Sequence, residues 1–279
     1  MKIARTRQEL RSLRNEFGDS LGFVPTMGAL HHGHRSLLLS SKAENKFTAL
    51  SIFVNPTQFG PKEDFSCYPR TLEEDLALAE AAGVDLVFTP TQEEIYPPGF
   101  HTFIEVEKVS EPLCGHFRPG HFRGVATVVY QLLALVRPQR AYFGQKDIQQ
   151  CVVIERMVHD LLLPVELQFC ETLREVDGLA LSSRNRYLSP QDRERATVIY
   201  RALSAGKKVF IERETSITAI LNRARQELAT VPEFQVQYCE VRSRHDLSEI
   251  ARIEDEAVLA IAGYLGQTRL IDNLLLKKS

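Results

Sequence analysis

The sequence predicts an α/β fold: a Rossmann-like parallel sheet with crossover helices, followed by a smaller C-terminal α+β domain. Through the first half, short and almost continuously apolar runs alternate with helical patterns, as buried parallel strands and their crossovers do. Around Asp177 and Gly178 that alternation stops, and a long helical pattern gives way to strand-like runs in a different order. A division near residue 175 follows, with a Rossmann-like domain over 1–175 and a smaller α+β domain over 176–279.

The strands of the first half are expected at 21–25, 47–54, 84–89, 140–143 and 165–170, each short and rich in Val, Ile, Leu or Phe. Between them, Thr71-Leu72-Glu73-Glu74 reads as a capping box, with Leu72, Leu76 and Ala79 turned inward and Gly83 closing the helix. A largely apolar helix is expected over 125–136, before Pro138, and a helix with a mixed face over 147–160. Beyond the division, Ser189 followed by Pro190 is a helix start, because proline in the first turn has no amide to waste. Ala196, Ile199, Leu203 and Phe210 continue one face of that long helix. Runs at 234–241, 257–262 and 268–275 read as antiparallel strands.

Composition narrows the function. The 279 residues carry 34 Lys plus Arg against 36 Asp plus Glu, a net charge of -2, so no broad surface attracts nucleic acid or anionic membrane and any anion site has to be local. The longest apolar stretch, 125–136, is interrupted by Thr127 and Gln131 and is shorter than the roughly 20 residues a membrane-spanning helix needs. The first 20 residues mix five basic side chains with Glu9, Glu16 and Asp19 and contain no apolar block before a small-residue cleavage site. The five cysteines are odd in number and contain no C-x-x-C pair, which suits isolated thiols in a reducing compartment. The expected location is the cytoplasm.

The strongest local signal is PTMGALHHGH at 25–34, directly after the first expected strand and before a helix starting near Gly33. A strand-to-helix turn collects free amides and a positive dipole end, which suits phosphate. Gly28 and Gly33 allow close backbone approach. His31 and His34 are three residues apart, so both imidazoles can reach one phosphate group. Spacing alone also permits a surface histidine pair, or a metal site, although no Cys or carboxylate stands at a ligand spacing.

Four further segments carry chemistry. Asn55 and Gln58 follow the second strand at its carboxyl end, where open sheets place ligands, and an amide offers both an acceptor and donors to a hydroxy acid. A Pro/Gly loop, RPGHFRG, brings Arg118, His121 and Arg123 close in sequence. In GQKDIQQ, Lys146 is a mobile point charge suited to a triphosphate, Asp147 can accept from ribose hydroxyls, and Gln150 lies one helical turn beyond Lys146. Ser182, Ser183 and Arg184 lie at the expected domain junction, and two hydroxyls with a guanidinium can clamp phosphate oxygens. Taken singly, each of these also reads as a polar loop, a solvated turn or a linker.

Together these blocks resemble the pantothenate synthetase (pantoate:beta-alanine ligase) family of the nucleotidylyl transferase superfamily. The resemblance runs through VPTMGALHHGH, SIFVNPTQFG, YPRTLEED, RPGHFRGV, FGQKDIQQ, DGLALSSRNRYLS and TRLIDN in that order, across both expected domains. One departure is Gln145, where the family more often has Glu. The resemblance implies that ATP meets Met27, Gly28, Ala29, Leu30, His31, His32, Gly33 and His34. It adds Gly144, Gln145, Lys146 and Asp147, then Leu173 through its backbone, and Leu181, Ser182, Ser183 and Arg184. Pantoate and beta-alanine are assigned to Gln58, Gln150, Asn55, Arg118 and His121. His34, His31, Lys146 and Arg184 are the expected catalytic set, with Mg2+ accompanying ATP and a homodimer as the working form. The implied reaction forms pantoyl adenylate and pyrophosphate, then lets beta-alanine displace AMP to give pantothenate. Attack by a carboxylate needs no general base, so the task is to damp repulsion between anions. Transfer of AMP to a phosphorylated acceptor, as elsewhere in the superfamily, is the alternative.

Overall fold

The computed structural model describes residues 1–61, 63–212 and 216–277. By packing, the chain divides into two compact units. The first comprises 1–107, 118–145 and 153–171; the second comprises 108–117, 146–152 and 172–279. The second unit thus includes two segments, 108–117 and 146–152, that precede the boundary expected near 175.

The first unit holds a six-stranded, wholly parallel sheet. Its strands are β1 (Lys2–Ala4), β2 (Leu21–Thr26), β3 (Phe47–Ile52), β4 (Leu86–Phe88), β5 (Arg140–Gly144) and β6 (Glu166–Cys170), in the spatial order β1-β4-β3-β2-β5-β6. Five of the six were expected from their apolar runs. The sixth, β1, is Lys2-Ile3-Ala4, with a charged first residue and no apolar run around it to mark a strand. Helix α1 (Arg7–Arg14) after it was also missed, although Thr6 and Glu9 form a full capping box there.

Chain order reverses between β2 and β5, because β3 and β4 extend the sheet on one side of β2 while β5 and β6 extend it on the other. Such a switch point, at the carboxyl ends of the strands, is where open α/β sheets place ligands. Helix α2 (His32–Glu44) follows β2 and buries Leu37 and Leu38 against Val24, Leu50, Val87 and Tyr142. Helix α3 (Leu72–Ala81) packs Ala79 into the same core. The expected box at Thr71 is not formed. Its backbone (φ −116°, ψ 49°) is not the extended form a cap needs, and its hydroxyl turns instead to Asp75 Oδ1 at 3.3 Å. Leu72 also departs from the expectation and is 41% exposed, as the first residue of the helix.

The short helix α4 (Gln92–Ile95) lies in the first unit and α5 (Cys114–Phe117) in the second. The apolar helix α6 (His121–Val136) starts four residues earlier than the hydropathy suggests. Helix α7 (Ile148–Asp160) follows a single 3-10 turn over Gln145–Asp147. None of the described helices is long and apolar enough to cross a membrane.

The second unit contains the antiparallel sheet β7 (Gln235–Ser243), β8 (Glu256–Leu265) and β9 (Thr268–Lys277) in sequential order, as expected. The expected long helix is two: α8 (Pro190–Arg195), capped by Ser189, and α9 (Val198–Ile211). Ala196, Ile199, Leu203 and Phe210 nevertheless enter one core with Leu259 and Ile261 of β8 and Ile220 of α10 (Ile217–Leu228).

Candidate active site

The turn leaving β2 is built by a buried carboxylate. Gly28 (φ +83°) and Ala29 (φ +50°) are both left-handed, a conformation that Ala adopts only where surroundings enforce it. Asp75, from α3, supplies that enforcement by accepting from Ala29 N at 3.0 Å and from Leu30 N at 2.7 Å. Gly28 N donates to Thr26 Oγ1 at 3.2 Å. The amides of Ala29 and Leu30, expected to face phosphate, therefore face Asp75.

What the turn presents is set by its histidines. His31 is the N-cap of α2, and its Nδ1 accepts from Gly33 N at 3.1 Å. His34 closes the box by accepting from His31 N at its own Nδ1, at 3.3 Å. An imidazole nitrogen that accepts carries no proton, so this pattern assigns the proton of both neutral rings to Nε2. The rings sit 4.1 Å apart, centroid to centroid. Both Nδ1 atoms are thus committed to the backbone of the turn. His32 is the first residue of the helix, where Gly33 N is already spent on the cap.

Beside it, the loop after β3 locks two amides. Asn55 is buried; its Oδ1 accepts from Thr57 N (3.3 Å), Thr57 Oγ1 (2.9 Å) and Tyr96 Oη (2.8 Å). Its Nδ2 donates to Gly124 O and to Gln58 Oε1, both at 3.1 Å. Gln58, also buried, is thereby fixed with its Nε2 donating to Met27 Sδ at 2.9 Å. Gly124 of α6 makes this possible, since a Cβ there would stand 2.4 Å from Thr57 O.

Arg118 and His121 clasp the same loop. The Arg118 fork closes on Glu63, Nε to Oε1 at 2.7 Å and Nη2 to Oε2 at 2.6 Å. His121 Nδ1 lies 2.8 Å from Gln58 O and its Nε2 3.1 Å from Arg118 Nη1, so the ring donates at Nδ1 and accepts at Nε2. Burial alone would push the Glu63 carboxyl up, but the hydrogen bonds and charge of Arg118, with smaller help from Gly60 and His121, hold it below its ordinary value. At the end of β5 lies Gly144, and Gln145 Nε2 donates to Phe169 O at 3.3 Å.

The remaining expected site residues lie in the second unit. Lys146 and Asp147 belong to the 3-10 turn, and Gln150 stands in the first turn of α7, partly exposed. Asn273 Nδ2 donates to Lys146 O at 2.9 Å, fixing the backbone that carries the ammonium. Arg174 forks onto the buried Asp272 (Nη1 to Oδ2 at 2.5 Å, Nη2 to Oδ1 at 3.0 Å), bonds Gly178 O and Asn273 O, and lies 4.3 Å from the Tyr200 ring centroid. Asp272 is pushed up by burial, with Arg174 pulling the other way. Leu173 is exposed and its carbonyl accepts from Leu181 N at 3.0 Å. Ser182 caps the 3-10 turn Ser183–Tyr187, its Oγ accepting from Arg184 N at 3.3 Å, while Asn185 Nδ2 holds Ala180 O at 3.0 Å.

A sequence profile described as pantoate-beta-alanine ligase matches residues 1–275. This chain belongs to that family. It is 52% identical to the pantothenate synthetase of Herpetosiphon aurantiacus over 277 residues, 99% of this chain and 100% of that protein. Pantothenate synthetase from Thermus thermophilus has the same fold at a TM-score of 0.96 and 47% identity, with 100% of both chains covered. The pantoate-beta-alanine ligase of Francisella tularensis, solved in complex with beta-gamma ATP and beta-alanine, gives a TM-score of 0.81 at 35% identity, covering 100% of this chain and 99% of that one.

Within the ligase framework, sequence reasoning left Asp75, Tyr96, Glu63, Arg174, Asp272 and Asn273 without a role. Their partners lie far along the chain, and only the motif blocks YPRTLEED and TRLIDN gave a signal for some of them. Among the described residues no three His, Cys, Asp or Glu side chains gather to hold a metal ion.

Proposed function

We propose that this chain joins pantoate to beta-alanine with ATP by way of a pantoyl adenylate. A pantoate carboxylate oxygen attacks the alpha phosphorus, and the bond to the pyrophosphate oxygen breaks. The beta-alanine nitrogen then attacks the acyl carbon, AMP leaves, and the nitrogen gives up a proton to form the amide of pantothenate. His31 and His34 act as preorganised donors to the phosphoryl oxygens, and Lys146 and Arg184 neutralise charge gathering on pyrophosphate. Gln58 and Gln150 hold the acid.

The histidine cap at the head of α2 carries this reading, because it fixes two imidazoles side by side at the start of the helix that follows β2, the strand at the sheet's switch point. Membership of the ligase family supports it. Magnesium enters as the complex with ATP, since that ion commonly keeps phosphate and water ligands and takes only one or two carboxylates. The chain is expected to work in the cytoplasm as a homodimer, the second point to be read by sedimentation equilibrium.

Product analysis tests the reading. With Mg·ATP, pantoate and beta-alanine, AMP and pantothenate should appear in equal amounts. ADP in place of AMP, or AMP without the amide, would overturn it.

A further inference from the structure

We infer that Asp75 is a positioning residue for adenylate formation, acting through the shape of the 28–31 turn. This rests on the function proposed above for the histidines but adds a residue that touches no substrate. Asp75 is 2% exposed, yet its carboxylate meets no Lys or Arg in a salt bridge among the described residues. Its partners are the amides of Ala29 and Leu30 and the Thr71 hydroxyl. A buried carboxylate of this kind is retained at a cost unless its hydrogen bonds accomplish something.

What they accomplish is visible in the backbone. Gly28 and Ala29 are driven left-handed, and Leu30 then delivers His31 in the extended conformation of an N-cap (φ −139°, ψ 178°). That conformation lets His31 Nδ1 reach Gly33 N and lets His34 Nδ1 reach His31 N. Asp75 thus fixes the direction of both Nε2–H groups from 45 residues away. The fit is tight: a Cβ at Gly28 would stand 2.9 Å from Asp75 Oδ2.

Asp75→Asn tests this, since the amide keeps the volume and one acceptor but sets an NH2 against one of the two backbone N–H groups. The expected loss in the rate of adenylate formation is roughly ten- to a hundredfold, as for hydrogen bonds to a charged group, with KM for pantoate unchanged. 15N spectra of histidine-labelled protein should show the His31 and His34 signals leaving the pure Nε2–H pattern. Val87→Ala, a cavity in the same core, serves as the comparison for stability alone and should leave rate and spectra unchanged. Thr71→Val, which removes a single donor, is the milder variant should Asp75→Asn fail to fold, with a smaller rate loss and the same direction of spectral change. A folded Asp75→Asn with wild-type rate and histidine spectra overturns the inference, as does a Thr71→Val protein unchanged in both if only that variant folds. Should wild type form no adenylate at all, the functional reading fails, and the spectra still decide whether Asp75 sets the rings.

Discussion

His31 and His34 face each other across 4.1 Å, each with its Nδ1 turned to a backbone N–H of the turn they cap. The arrangement commits one nitrogen of each ring to the backbone of the turn. It predicts that the two nitrogens can be separated by mutation.

His34→Asn places an amide oxygen near the position of Nδ1 and nothing at Nε2. The cap survives, so the thermal midpoint should stay close to wild type, while the rate falls by about a hundred- to a thousandfold, as for loss of one preorganised donor. His34→Ala should lose the rate as well, along with part of the cap. Steady-state kinetics paired with thermal unfolding would check both. A His34→Asn enzyme with near-normal turnover removes Nε2–H from the chemistry.

Gly124→Ala should act on the acid substrate rather than the nucleotide. The new Cβ would press on the Thr57 carbonyl and displace the loop that holds Asn55 and Gln58. Overpacking of this kind costs about 1–3 kcal/mol. KM for pantoate should rise clearly while KM for ATP stays within roughly twofold, because the Gln58 amide loses the orientation that Asn55 gives it.

The Arg118–Glu63 clasp has a defined pH dependence. Glu63 is held below its ordinary carboxyl value, so the unfolded chain binds its proton more readily. The stability it contributes is therefore full above the unfolded value, about 4.3, and is lost as pH falls through the lower folded value. Urea unfolding of wild type and Glu63→Gln should differ by a constant amount, of order 1 kcal/mol, from neutral pH down to about 5 and converge in acid. A gap that closes instead as pH rises contradicts the assignment.

Arg174→Lys should be far from conservative. Lysine cannot reproduce the fork onto Asp272, the bonds to Gly178 O and Asn273 O, or the face-on contact with Tyr200. A loss of about 3 kcal/mol is expected, as for leaving a buried charge short of its partner. Turnover should fall too, because Asn273 carries the backbone of Lys146. Chemical denaturation and kinetics on the same preparation measure both effects.

Much of this was legible in the sequence because parallel strands announce themselves by composition, and five of the six fall in short runs rich in Val, Ile, Leu or Phe. The H-x-G-H turn was legible from its place between strand and helix. The direction of its amides was not, since that depends on Asp75, 45 residues beyond Leu30. For the same reason Thr71 misled: its hydroxyl and the Glu74 spacing fit a capping box, but the nearby carboxylate takes the hydroxyl. Asn55 was legible by type and place as a candidate substrate ligand, but its bonds to Thr57, Tyr96, Gly124 and Gln58 were not, because Tyr96 and Gly124 lie 41 and 69 residues away. The grouping of 108–117 with the second unit rests on contacts such as Cys114 N to Gln149 Oε1, 2.9 Å, which no local pattern encodes.

The central claim is that pantoate attacks ATP before beta-alanine takes part, and isotope exchange tests it most directly. With wild-type protein, Mg·ATP and pantoate, and beta-alanine left out, labelled pyrophosphate should enter ATP at a rate comparable with turnover. No exchange until beta-alanine is added would contradict the adenylate route and the roles of His31 and His34 in it.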